Sequence, residues 1–298
     1  MKKAYFFAVV SIFFWSTMAT AAKLLLNSGY NGFGVLWASM LFAGVFLVLV
    51  NVFNGKINLI KGYKLKDFLI SVLIGLPGIF IYNSLYYLGA DILPASQAFI
   101  VNYMWPIMSV VFACVILKEK MSFKKGVAIA VSFLGVGIVA GKDIASFNHN
   151  TLLGLGYCLL GAVSYGLFTV LNKKFHYDKL VSMMINCLVT LGLTTVINLI
   201  NGGLFVPSLT EAIGFAWNGI FTVAVPCTAW ALALDSGNTA KISNLAYITP
   251  FLSLVWSWLI LGDKGIINSN SIIGLCVIVS GIFIQLIKFK KHEDKEKI

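Results

Sequence analysis

Arginine does not occur in the 298 residues, and charge of either sign is scarce: acidic and basic residues together make up 11%. Without arginine the chain lacks the planar two-pronged donor that best clamps phosphates and carboxylates. A soluble domain carries about 25% charged residues, and a chain with less than half of that cannot cover its outside in water. Soluble enzymes and soluble nucleic-acid binders are excluded on that ground. No Cys-x-x-Cys pair occurs, and Cys114, Cys158, Cys187, Cys227 and Cys276 each lie in an apolar run with no histidine at ligand spacing. Neither a metal site nor a disulfide framework is indicated. With no phosphate-binding glycine loop and no catalytic dyad, an ATPase or other enzyme is not expected, and no cofactor is expected either.

What is present instead is apolar: 59% of the residues are hydrophobic, and the mean hydropathy is +0.91. A bilayer core needs about 20 consecutive apolar residues per helix. Ten such stretches occur, at residues 4–26, 32–53, 67–88, 93–117, 123–140, 152–171, 180–199, 212–234, 242–261 and 271–287. The first continues to Leu26 without a small-residue cleavage site, so it reads as a span and not as a signal peptide. The links are short, and the predicted fold class is an all-α integral membrane protein of ten transmembrane helices.

The 22 basic residues, all lysines, sit between apolar runs and form no patch interleaved with aromatics, so the net charge of +11 reports topology and not a nucleic-acid partner. With the N-terminus inside, only Lys23, Lys142 and Lys264 fall outside, and the other 19 fall inside. The excess of lysine on cytoplasmic loops therefore predicts a multi-pass protein of the cell membrane with both termini cytoplasmic. Residues 288–298 read as a basic cytoplasmic tail.

Sliding the sequence along itself by 144 residues aligns Tyr86 through Lys120 with Trp230 through Lys264 without a gap. The pairs Asp91/Asp235, Tyr103/Tyr247, Pro106/Pro250, Ser109/Ser253 and Lys120/Lys264 match in residue type, which apolar composition alone does not explain. Near an offset of 150, Trp15 to Lys23 corresponds to Tyr165 to Lys173. Residues 1–141 and 151–287 are thus predicted to be two repeats of five spans each. Five is odd, so matching segments cross in opposite directions, as in secondary transporters that turn a midplane site from one side to the other.

Trp15-Ser16 in span one, the run Asn102-Tyr103-Met104-Trp105-Pro106, and Lys118-Glu119-Lys120 at the end of span four resemble the drug/metabolite transporter superfamily, EamA type. The resemblance covers the whole chain. Within it, Trp15 to Met18 and Val101 to Pro106 are most similar to the bacterial aromatic amino acid exporter branch, with Ala229-Trp230 and Asn172-Lys173 as second-half counterparts. The resemblance implies a central cavity lined by spans one, three, four, six, eight and nine.

Polar groups inside a membrane usually face the protein interior or a cavity. Trp15, Tyr82, Asn102, Tyr103, Trp105, Tyr165, Trp230 and Tyr247 lie well inside those spans and are the candidate substrate-binding residues. Asn102, Trp105 and Ser109, three and four apart, are expected on one helix face. The stripe Asn186, Thr190, Thr194 and Asn198 reads as helix-to-helix glue, and Trp217, Trp256 and Trp258 read as an interfacial belt. Pro77, Pro106, Pro226 and Pro250 are expected to kink spans three, four, eight and nine. All eleven acids and the three histidines lie at span ends or in loops, which argues against a built-in proton relay.

The expected function is secondary transport of aromatic or other neutral amino acids, or similar small metabolites, outward, by facilitated movement or exchange. The expected partners are a small-molecule substrate and the lipid bilayer; monomer and homodimer both remain open. Two rivals also stand: transport of a choline-like cation or nucleoside-type metabolite caged by the same aromatics, and an accessory membrane protein with no flux of its own.

Overall fold

A backbone in hydrocarbon has no water to bond, so each span must close its hydrogen bonds within itself. The computed structural model describes residues 2–140, 148–175, 177–236, 245–262 and 269–286. Among these there is no strand, and seven helices are long and apolar enough to cross a membrane. The chain is a multi-pass membrane protein. The basic tail 288–298 and Lys142, Lys241 and Lys264 lie outside the described residues.

In chain order the helices are α1 (Lys2–Ser16) and α2 (Met18–Asn27), α3 (Gly32–Phe53), α4 (Leu65–Gly75) and α5 (Tyr82–Ile92), α6 (Ala95–Asn102) and α7 (Trp105–Ile116), and α8 (Phe123–Ala140). There follow α9 (His149–Lys174), α10 (Lys179–Ile200), α11 (Leu209–Ala216) and α12 (Val225–Ser236), α13 (Thr249–Leu261) and α14 (Ser269–Leu286). Their starts are set by local chemistry. Asn31 accepts from the Gly34 N–H, Asn148 from Thr151, Asp178 from Leu180 and Val181, and Ser208 closes a capping box with Glu211. Each satisfies amides that the first helical turn leaves unpaired.

Two spans are interrupted, one of them span four, in which Pro106 is expected to make a kink. Span one breaks at Thr17, and span four breaks at Tyr103–Met104, between α6 and α7. Spans three and eight each widen into a π turn, Leu76–Ile81 and Trp217–Ala224. The first holds Pro77 and the second ends just before Pro226, where the missing N–H disturbs the α ladder. The two broken spans also match in length: Leu65 and Leu209 open them 144 residues apart, and Ile92 and Ser236 end them 144 residues apart.

Helices pack in matching pairs. The most extensive contacts are α8 on α14, α3 on α10, α5 on α9 and α1 on α12. In α3 and α10, Phe33 meets Asn198, Trp37 meets Thr195 and Asn51 meets Leu180, so the two run antiparallel. Asn198 thus does tie two helices together. α8 and α14 also run antiparallel, and small residues let their backbones touch: a Cβ on Gly135 would meet the Gly274 carbonyl at 2.8 Å, and one on Gly281 would meet the Ala128 carbonyl at 2.8 Å.

Trp217, which is 38% exposed, and Trp256 also bond inward. Their indole N–H groups donate to Thr17 Oγ1 at 3.1 Å and Ser16 Oγ at 3.0 Å, pinning both sides of the break in span one from spans eight and nine. An indole that finds a buried hydroxyl gains more than one left at the interface. Trp258 is half exposed, as a lipid-facing side chain should be.

Candidate functional site

Among the described residues thirteen side chains line a cavity of about 40 Å³, and six spans supply them. Trp15 and Met18 come from span one, Tyr82 and Asn83 from span three, and Phe99, Asn102, Tyr103 and Trp105 from span four. Tyr165 comes from span six, Thr222, Val223 and Cys227 from span eight, and Thr249 from span nine. Five of these spans lose regular α geometry beside the cavity: at Thr17, at Leu76–Ile81, at Tyr103–Met104, at Trp217–Ala224 and at the 3-10 turn Ala246–Ile248. Only α9 passes it unbroken. Such a cavity holds a few waters at most, so a larger solute enters only when the surrounding rings move.

The wall is mostly aromatic. Tyr165 lies 4.6 Å from Tyr82 and 5.2 Å from Trp105 between ring centres, and Trp105 stands edge-on to Tyr103. The polar groups are neutral. Asn102 Nδ2 donates to the Tyr82 hydroxyl at 2.8 Å, and Asn83 Nδ2 donates to the Ile79 carbonyl at 2.7 Å. The Tyr103 hydroxyl donates to the Ala246 carbonyl, which fastens the break in span four to the turn before α13. Among the described residues no carboxylate, lysine or histidine lines the cavity, and none form a cluster that could bind a metal.

Of the eight residues expected at a site, six line this cavity: Trp15, Tyr82, Asn102, Tyr103, Trp105 and Tyr165. Trp230 stands one layer back, its ring 5.3 Å from Trp15. The side chain of Tyr247 lies outside the described residues. Asn102 and Trp105 do share the cavity, but through the break that separates α6 from α7 and not through one continuous face; Ser109 instead returns its hydroxyl to the Trp105 carbonyl. On span eight the Thr222 hydroxyl donates to Asn218, but the two side chains go on to different places. Asn218 turns to Ser39 Oγ and the Tyr87 hydroxyl, while Thr222 reaches the cavity.

Sequence reasoning missed Phe99 and Val223, which are apolar residues in apolar helices and carried no signal, and did not single out Met18, whose only signal was its place in the Trp15 to Met18 run. Cys227 also lines the cavity. Two further signals did exist: Cys227 follows Pro226, and Thr249 is the repeat counterpart of Trp105.

Ion pairs gather at the end of the bundle formed by the links after spans two, four and six. Lys56 Nζ meets Asp178 Oδ2 at 2.6 Å, and Glu119 holds Lys125 at 3.1 Å and Lys173 at 3.6 Å. Burial pushes the Asp178 carboxyl up, but the Lys56 ammonium and the backbone N–H of Val181 and Leu180 outweigh it and hold the pKa below the usual carboxylate range. The Lys125 ammonium, which donates to Glu119, lowers that carboxyl as well. At the other end Lys23 donates to the Ala90 and Leu93 carbonyls at 2.8 and 3.1 Å, a cation at the carboxyl end of α5 where the helix dipole favours it.

A family model described as the EamA-like transporter family matches residues 2–141 and 152–287. The chain belongs to that family. An uncharacterized transporter of Clostridium kluyveri is 27% identical to this EamA member, over 100% of this chain and 97% of its own length. The aromatic amino acid exporter YddG of Ancylobacter novellus is 23% identical over 60% of this chain and 63% of its own, and an S-adenosylmethionine uptake transporter of Rickettsia prowazekii is 27% identical over 50% and 48%. A solved crystal structure superposes on the EamA chain with a TM-score of 0.68, at 19% identity and 96% coverage of both, so the fold is shared over nearly the whole length.

Proposed function

We propose that this EamA transporter moves aromatic or other neutral amino acids outward across the cell membrane by alternating access, as a facilitator or exchanger. One observation carries the reading: a single neutral, aromatic cavity lies where five spans break their helices. Discontinuous helices at a shared midplane site are the device by which secondary transporters expose backbone groups to substrate and bend around it. No carboxylate or histidine is among the described residues at the cavity, which supports movement uncoupled from protons.

The alternating mechanism rests on ten crossings in two inverted halves. Spans three and eight, whose ends lie 144 residues apart and which each contain a π turn, support it, as do the antiparallel pairs α3/α10 and α8/α14, each joining one member of either half. The family match in two stretches fits the same division. Helices α8, α13 and α14 supply the three crossings beyond the seven longer helices.

Single cysteines at Asn148 and Ser269, in a background without the five native ones, should react with an impermeant thiol reagent added outside. Cysteines at Lys61 and Lys124 should not. Labelling with the opposite sidedness would remove the inverted arrangement.

Counterflow in proteoliposomes tests the function itself. Preloaded unlabelled amino acid should drive uptake of labelled aromatic amino acid without an imposed pH gradient. Exchange of choline or nucleosides in place of amino acids would overturn the substrate assignment, and no exchange of anything would leave an accessory protein without flux.

A further inference from the structure

The cavity presents acceptors without donors. Asn83 Oδ1, Asn102 Oδ1 and Thr249 Oγ1 are buried and have no hydrogen-bond partner, on residues that are 2%, 2% and 1% exposed. All three residues line the cavity. Both amides are held the same way round. Asn83 Nδ2 is committed to the Ile79 carbonyl at 2.7 Å. Asn102 Nδ2 donates to the Tyr82 hydroxyl at 2.8 Å, and that hydroxyl directs its own proton toward Met18 Sδ at 4.0 Å, so it accepts from Asn102. Each asparagine therefore spends an N–H on the protein and leaves its carbonyl oxygen unpaired.

An acceptor buried without a donor destabilises the empty site, and a ligand that brings N–H groups recovers the loss. Trp15, Tyr82, Trp105 and Tyr165 line the same cavity, and aromatic ring faces attract a cation. A carboxylate brings only further acceptors to Asn83 and Asn102. A quaternary ammonium suits the rings but has no N–H to give. A primary ammonium offers three donors and a positive charge, and so satisfies both features at once. Thr249 differs from the two amides, because a hydroxyl both donates and accepts and can turn its proton toward an anionic group on the same solute.

We infer that Asn83 and Asn102 form a primary-ammonium subsite, which selects solutes bearing –NH₃⁺ and rejects their N-trimethylated and des-amino counterparts. This rests on the cavity being the substrate site. It sharpens that assignment, since it separates an amine-bearing solute from the choline-like cation that the aromatic wall alone would admit.

The test is competition against labelled phenylalanine in counterflow, with phenylalanine, phenethylamine, 3-phenylpropionate and N,N,N-trimethylphenylalanine as competitors. Phenethylamine should compete measurably. 3-Phenylpropionate and the trimethylated compound should be at least about 10-fold weaker than phenylalanine, the scale of a lost hydrogen bond to a charged group. Asn102→Leu should bring phenylalanine and its trimethylated form within a few-fold of each other while the protein still purifies as a stable monodisperse species; Asn83→Leu serves where the first variant does not fold. Equal potency of the trimethylated and parent compounds on the native protein would overturn the subsite and leave the transport reading intact. Exchange of no labelled amino acid at all would overturn both.

Discussion

Replacing Trp105 with alanine should raise the concentration of aromatic amino acid needed for half-maximal exchange by roughly 3- to 10-fold, because ring stacking contributes about 0.5 to 1.5 kcal/mol beyond area burial. Trp105 opens α7 just after the break in span four, and its ring stands edge-on to Tyr165 at 5.2 Å and to Tyr103 at 6.1 Å. It is thus held by two other cavity tyrosines and keeps a face for the solute. The comparison is Trp258→Ala, since Trp258 is 51% exposed on α13 and should leave affinity unchanged. Trp256 would be a poor control, because its indole donates to Ser16 beside the break in span one. Apparent affinity and melting temperature measured together separate the outcomes. Unchanged affinity in Trp105→Ala would take this residue out of the site, and a loss of stable protein would assign it to packing instead.

The helices were legible because hydropathy is a property of whole windows: a run such as Phe33 to Phe53 has only one way to bury its backbone in lipid. The site was legible in part, and for a different reason. Tyr82, Asn102, Trp105 and Tyr165 are costly in hydrocarbon, so their presence mid-span already says that something faces them. The breaks were harder to read. Thr17 is an unremarkable residue, and the interruption there is held by Trp217 and Trp256 from spans distant in sequence, whereas the break before α7 was signalled by Pro106 and is fastened by the Tyr103 bond to Ala246. Pro77 and Pro226 signalled a disturbance but not its form, since proline is compatible with a kink, a π turn or a changed register. Asn218 and Thr222, four residues apart in the π turn of span eight, stay joined through the Thr222 hydroxyl, although only Thr222 lines the cavity. Apolar lining residues such as Val223 remain silent in any sequence, because a side chain that faces a cavity and one that faces lipid are chemically alike.

These breaks matter because they are anchored by close backbone contact, and Gly219 is where that contact is tightest. It lies in the π turn of span eight, and a Cβ there would stand 1.9 Å from the Ser39 carbonyl oxygen and 2.8 Å from its carbon. Those are backbone atoms of α3, with no rotamer to escape into. Next to it Asn218 Nδ2 donates to Ser39 Oγ at 2.9 Å and to the Tyr87 hydroxyl at 2.6 Å, so pushing the two helices apart would also stretch the bonds that hold spans two, three and eight together. Gly219→Ala should therefore cost about 1 to 3 kcal/mol or more through overpacking, read as a fall of roughly 5 °C in melting temperature. Exchange should fall with it, because Thr222 and Val223 in the same turn form the cavity wall. Gly192→Ala on α10 is the matched substitution: nothing lies within 4 Å of its added methyl, and alanine is the better helix former, so that variant should melt at the native temperature or above. A Gly219→Ala protein that melts and exchanges like the native one would show that spans two and eight are not in this contact in the working transporter.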